Sequence, residues 1–212
     1  MKLVTVASHL DVRGLENLIS SAQKFGWDIE VILSEWKGFG TKLIEVANYF
    51  NNNPDVKELI FVDAYDVIAL STPQEVIEKI KDRTKMLVSV EKGCWPDSSL
   101  AIHYPEVDTD WKYINSGTYY APRGAFMDMI EKNPPLYSSD DQLWLTIEFL
   151  HEPSKFVLDY GCEVFQCYSF IAEDDFEYKD GRVHNLKTNS NGVLFHGNGR
   201  TDMSKVLNLI DL

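Results

Sequence analysis

Cysteine is scarce in this 212-residue sequence, which has only Cys94, Cys162 and Cys167. An odd number without framework spacing excludes a disulfide scaffold and points to reduced, structural thiols. The Cys162-x4-Cys167 spacing is not by itself a zinc pattern. Basic residues are also few: 20 Lys and Arg stand against 33 Asp and Glu, a net charge of −13. Such a balance excludes a duplex nucleic-acid binder, which needs a cationic surface to neutralise phosphates. No apolar run approaches the length of a membrane span. The opening stretch, residues 1–7, is too short for the apolar core of a signal peptide, and charged Asp11 and Arg13 follow it. A soluble, cytoplasmic protein without a membrane segment is therefore expected. Walker A, GxGxxG and Ser-His-Asp signatures are absent too, which removes P-loop and Rossmann-dehydrogenase readings. Nothing repeats, and no segment is of low complexity.

What is present is an ordinary globular balance, 44% hydrophobic and 25% charged, in a chain long enough to bury a substantial core. We read one continuous α/β domain over 1–212, with a nucleotide-binding half at about 1–92 and an acceptor-side half at about 93–212. The apolar patterning predicts strands over 3–7, 27–33, 58–62 and 86–90, separated by helices over 11–25, from an N-cap at Thr41 to about 49, and from Pro73 to about 81. The β-α-β order predicts parallel strands with right-handed crossovers. Residues 93–110 read as a long aromatic loop. A strand over 113–121 and a helix over 122–132 come next, and Asp140-Asp141-Gln142 opens another helix to about 151. Short strands are expected at 156–159, 164–168 and 193–195 and a last helical turn or two at 204–210, whereas 171–192 yields no assignment.

The chain is organised around Glu58-Leu59-Ile60-Phe61-Val62-Asp63-Ala64-Tyr65-Asp66. Four apolar residues make a strand buried on both faces, and it stops at two carboxylates. In an open α/β sheet, ligands bind beyond the carboxyl ends of the strands. Asp63 and Asp66 therefore stand where a metal or polar ligand would be held, although acidic residues also simply open loops. His196 ends another strand and precedes Gly197-Asn198-Gly199, which lets backbone approach a phosphate closely. Two carboxylates and an imidazole suit Mn²⁺, with Mg²⁺ the harder alternative, holding a diphosphate. Lys42, near a helix start, either reaches a phosphate or sugar or lies on a solvated face. Asp140 and Asp141 suit a helix N-terminus on dipole grounds alone. Trp36 and Trp95 sit in loops, where they stack on a ligand or pack in the core. Asn115-Ser116-Gly117 offers small polar groups for a sugar pocket.

These residues, with Ser34-Glu35-Trp36-Lys37-Gly38, Cys94-Trp95-Pro96, Ile114-Asn115-Ser116-Gly117, Asp140-Asp141-Gln142-Leu143 and Leu194-Phe195-His196-Gly197-Asn198-Gly199, form six collinear motifs. They resemble the glycosyltransferase domain of procollagen lysyl hydroxylases and related collagen-type GT-A glycosyltransferases. Short and without a visible leader, the chain looks like a virus-encoded relative, in the manner of the N-terminal domain of a multi-domain chlorovirus glycosyltransferase with further domains following. The resemblance implies a GT-A (nucleotide-diphospho-sugar transferase) fold with a mostly parallel central sheet flanked by helices. It implies a UDP-sugar donor, Mn²⁺, a glycan or glycoprotein acceptor, and retention of anomeric configuration. Asp63, Asp66 and His196 become metal ligands. Thr5, at the end of the first strand, would lie beside the base, and Tyr65 would contact uridine or ribose. Lys42, Asn198 and Gly199 would meet the diphosphate or sugar, with Asn115 and Ser116 around the sugar. Trp36, Asp140 and Asp141 would flank donor sugar and acceptor, and Trp95 would gate the pocket. Two rivals stand beside this: a sugar-nucleotide-binding module without turnover, and a metal-dependent phosphotransferase with Asp63 as nucleophile.

Overall fold

The computed structural model describes residues 1–170 and 173–212. In chain order the elements are β1 (Lys2–Ala7), α1 (Arg13–Lys24), β2 (Asp28–Leu33), α2 (Gly40–Asn52), β3 (Glu58–Val62), β4 (Val67–Ala69), α3 (Pro73–Lys79), β5 (Met86–Glu91), β6 (Tyr113–Pro122), α4 (Arg123–Lys132), α5 (Asp141–His151), β7 (Phe156–Leu158), β8 (Phe165–Cys167), β9 (Phe176–Lys179), β10 (Arg182–Asn185), β11 (Ser190–Asn191), β12 (Leu194–His196) and α6 (Ser204–Leu209).

The main sheet has the order β2-β1-β3-β6-β5-β7. All its neighbours pair in parallel except those of β6, which runs antiparallel to both β3 and β5. The expected mostly parallel sheet flanked by helices is thus present, and strands from both sides of residue 92 share it. β3 sits at its centre with Leu59, Ile60, Phe61 and Val62 fully buried. Alternate residues face opposite ways, so Phe61 joins the core under α2, α4 and α5 while Ile60 and Val62 join the core under α1. Because β6 is reversed, its N-terminal end, with Asn115, Ser116 and Gly117, lies at the edge where β3 and β5 finish.

Two smaller sheets complete the fold, β4-β12-β8 and β11-β10-β9. β4 was not foreseen, since three residues are too few to show a period. Much of 171–192, unassigned in the sequence, forms the β9–β11 sheet; Ile171 and Ala172 lie outside the described residues. Thr41 is not the N-cap of α2. The helix starts at Gly40 without a side-chain cap, and Thr41 Oγ1 instead accepts from Lys37 N at 3.2 Å. Pro73 does open α3, with Thr72 accepting from Glu75 N.

Candidate active site

β3 ends one residue before Asp63, whose backbone N–H donates to Gly117 O at 2.7 Å, tying the acidic loop to β6. At the loop's other end, Gly197 N donates to Asp66 O at 2.8 Å. β12 pairs with β4 so that His196 lies opposite Val67, the residue after Asp66. These three anchors bring together groups separated by more than a hundred residues of sequence. His196 Nε2 lies 3.4 Å from Asp66 Oδ1 and 3.8 Å from Asp63 Oδ2, and one ligand atom from each residue falls within 4.8 Å of the others. Among the described residues this is the one such cluster. Burial disfavours a charged His196, but the Asp66 and Asp63 carboxylates outweigh it and raise its pKa. Burial likewise opposes charge on Asp66, and the imidazole outweighs that to lower its pKa. Two hard oxygens and one imidazole fit a divalent cation. Gly117 gives this room: a Cβ there would lie 2.1 Å from His196 Cε1 and 2.7 Å from Asp63 Oδ2.

Lys42 is not on a solvated face. It is 7% exposed, and its ammonium bridges Asp63 Oδ1 and Asp141 Oδ2, each at 2.7 Å. Burial alone would lower its pKa, but Asp63 and then Asp141 raise it above the usual lysine value. Glycines make this bridge possible. A Cβ on Gly40 would sit 1.9 Å from Leu136 O, and Gly38 takes a φ of +131° against Tyr137 O. The first turn of α2 can therefore press against the backbone just before α5, bringing Lys42 to Asp141. Asp140 is the N-cap of α5, its Oδ1 accepting from Leu143 N at 2.8 Å.

Glu91, at the carboxyl end of β5, is the residue that sequence reasoning missed. It obeys the same signal as Asp63, an acid closing an apolar strand. Buried, it accepts from Asn115 Nδ2 (2.9 Å), Gln142 Nε2 (3.0 Å) and Asn198 Nδ2 (3.0 Å). Burial keeps its pKa above the ordinary range despite these bonds. Asn198 Oδ1 also takes the backbone N–H groups of Tyr168 and Ser169, and Gly117 N donates to Asn115 Oδ1. Ser116 N donates to Gln142 Oε1 at 3.2 Å. One carboxylate thus fixes side chains from β6, α5 and the turn after β12.

Two cavities meet at Lys42, Asp63 and Asp66. One, of about 250 Å³, is polar and adds Asn115, Ser116, Asp140, Asp141, His196, Asn198, Gly199 and Trp95. The other, of about 680 Å³, is walled by Trp36, Phe39, Tyr65 and Met203. Tyr65 turns its ring to this second space while its hydroxyl accepts from Ser8 N and His9 N at 2.8 and 2.9 Å. Trp36 packs edge-on against Phe39 at 5.5 Å and, like Trp95, stays about half exposed. Thr5 is a correction. Val6 and Ala7 extend β1 by pairing with Ile32 and Leu33, so Thr5 lies inside the strand, wholly buried, and lines neither cavity.

The family model described as the PLOD GT domain matches residues 1–211. The chain belongs to the PLOD GT domain family. Its relatives include the uncharacterized protein R699 of Acanthamoeba polyphaga mimivirus, 41% identical over 76% of this chain and 36% of the relative. The procollagen-lysine,2-oxoglutarate 5-dioxygenase of Drosophila melanogaster is 34% identical over 97% of this chain and 31% of its own length. LH3 of Rattus norvegicus, a multifunctional procollagen lysine hydroxylase and glycosyltransferase, is 28% identical over 95% and 30%. This PLOD GT domain thus spans about a third of the length of the curated relatives it matches.

Solved structures show the same GT-A fold at low identity. A glycosyltransferase involved in glycosylating the major capsid of PBCV-1 aligns over the whole of both chains with a TM-score of 0.56 and 10% identity. The galactosyltransferase LgtC aligns over 94% of this PLOD GT domain and 87% of its own chain, with a TM-score of 0.54 and 12% identity. No helix among the described residues is long and apolar enough to cross a membrane.

Proposed function

We propose that residues 1–212 form one catalytic unit that moves a sugar from a UDP-sugar to a glycan or protein-linked acceptor, dependent on Mn²⁺ or Mg²⁺, with retention of anomeric configuration. The observation that carries this reading is the Asp63–Asp66–His196 trio at the junction of an aromatic and a polar cavity, within a PLOD GT domain. The aromatic cavity suits a nucleoside, with Tyr65 and Trp36 offering ring faces. The polar cavity suits a sugar beside Asn115 and Ser116.

Asp63, Asp66 and His196 would hold a divalent ion, which when bound would supply Lewis-acid charge for the departing diphosphate. The chain's own groups do the rest. Lys42 balances the charge of Asp63 and Asp141 and keeps one ammonium N–H for a phosphate oxygen. Asp141, with Asp140 beside it, stabilises positive charge developing at the anomeric carbon. Asn198 and Gly199 line the space between diphosphate and sugar, and Trp95 closes it from the side. Glu91 is a positioning residue, acting through Asn115, Gln142 and Asn198. A virus-encoded member working in host cytoplasm would meet capsid glycans or proteins as acceptors.

A thermal-shift titration of UDP, with and without Mn²⁺, tests the reading through mass-action stabilisation. Wild type should gain melting temperature only with both present, and Asp66→Ala should lose the gain. The absence of any shift in wild type would sink the transferase reading. A shift with UDP, but no UDP released from an added UDP-sugar, would favour a binding module without turnover instead.

A further inference from the structure

Away from the cleft, α5 and the end of α4 enclose a cavity of about 350 Å³, lined by Asn133, Pro134, Trp144, Ile147, Glu148 and His151. It shares no lining residue with the polar and aromatic cavities. Trp144, Ile147, Glu148 and His151 stand at i, i+3, i+4 and i+7 on α5 and so form one stripe of the helix. Asn133, the C-cap of α4, and Pro134 make the rest of the lining.

This lining has the chemistry of an organic-cation site. Glu148 is 5% exposed, and its Oε1 accepts from Asn133 Nδ2 at 2.9 Å. Its other oxygen, Oε2, takes no hydrogen bond or ion pair from the described residues. Burial outweighs the Asn133 bond and raises the Glu148 pKa above the usual glutamate value. Lys155, whose charge also reaches it, is already held by Asp128 and Glu152, and His151 is exposed. A carboxylate kept from water and short of a partner favours a ligand that brings its own positive charge. Trp144 is fixed by its indole N–H, which donates to Asn133 O at 3.0 Å, and offers a π surface for a cation. Ile147, 40% exposed, and Pro134 add aliphatic surface. One carboxylate and one imidazole are too few ligands for a metal ion.

A buried acid beside an aromatic ring and an aliphatic rim matches a side chain with an apolar stem and a cationic head. A protein with a net charge of −13 draws basic polypeptides by its field. We propose that this cavity is a docking pocket for a lysine or arginine side chain of a basic partner polypeptide, with the cationic head on Glu148 Oε2 and the stem on Trp144 and Ile147. The pocket stands apart from the transferase reading and does not need it. The same helix nevertheless carries Asp141 at its start. Glu148 lies about 10 Å further along the axis, so a polypeptide anchored here is held beside the cleft.

Two-dimensional ¹H–¹⁵N NMR on the whole labelled chain tests it, read at the Trp144 indole N–H, which Trp144→Phe identifies. The probes are the end-blocked tripeptides Gly-Lys-Gly, Gly-Arg-Gly and Gly-norleucine-Gly, and n-butylammonium, all at constant ionic strength. At least one basic tripeptide should shift the Trp144 signal saturably, and the norleucine peptide should not. Glu148→Gln preserves the shape and the Asn133 bond and should raise the Kd about tenfold through loss of the charge. Ile147→Lys, at an exposed position, sets a resident charge at the rim and should abolish the shift. Asp66→Ala should bind the probes like wild type. No saturable shift, a norleucine peptide that binds equally, or binding indifferent to Glu148→Gln and Ile147→Lys would each overturn the pocket. Binding lost in Asp66→Ala would put the cation in the cleft and overturn it too. Butylammonium binding as tightly as the tripeptides would make this a small-amine site and overturn the polypeptide partner.

Discussion

At Gly117 the whole Asp63–Asp66–His196 trio depends on a missing atom. A methyl group there would enter the space of His196 Cε1 and Asp63 Oδ2, yet Gly117 offers no ligand of its own. Gly117→Ala should therefore destabilise the protein by about 1–3 kcal/mol, the usual cost of overpacking. The metal-dependent UDP shift should vanish while far-UV circular dichroism stays native. A variant that binds UDP and Mn²⁺ like wild type would mean that the trio is not the metal site. Asp63, Asp66 and His196 were legible in the sequence because each closes or follows a short apolar strand. Glu91 carries the same sign but stood alone, with no second carboxylate nearby to draw notice. Thr5 was misplaced although the strand over 3–7 was legible, because whether a side chain near a strand's end faces a cavity or the core depends on packing neighbours that the strand's own pattern does not show.

Among elements, the clearest tie lies far from the cleft. Glu75 of α3 receives Arg182 of β10 through two N–H···O bonds of 2.9 and 3.0 Å, with Lys79 at 2.7 Å and Ser71 also bonded to it. Burial pushes the Glu75 carboxyl up, but Arg182, Lys79 and Ser71 outweigh it and hold its pKa at about 2. A pKa depressed in the folded state means stability present above the unfolded value and lost as pH falls through the folded one. Glu75→Gln should lower stability at neutral pH by about 2 kcal/mol after solvent screening. The gap from wild type should close between pH 4.5 and about 2, as urea melts across that range would show. A gap independent of pH would mean that packing, not charge, joins α3 to β10. This network also explains why β9–β11 escaped sequence reading. Their strands are two to four residues long and polar, held by tertiary bonds rather than by their own periodicity. The strands at 58–62 and 86–90 announced themselves as mainly apolar runs and that at 113–121 by the β-branched and aromatic residues either side of Asn115-Ser116-Gly117, whereas the reversed direction of β6 leaves no mark in composition.

Taken as a whole, the molecule has one six-stranded sheet to which residues before and after position 92 both contribute. Calorimetry of residues 1–212 should accordingly give a single endotherm that UDP with Mn²⁺ moves upward as a unit. Two endotherms, only one of them moved by UDP, would divide the nucleotide-binding and acceptor-side halves. The pairing of β12 with β4 has a consequence in time as well as in space. β4 leaves the ribosome some 125 residues, about as long as many whole domains, before its partner β12, and until His196 arrives the two aspartates have no third companion. Contacts so distant in sequence form late. A nascent chain can raise the β1–β3 strands early, but the Asp63–Asp66–His196 cluster and the wall that Met203 gives the aromatic cavity wait until the last strand is laid beside β4.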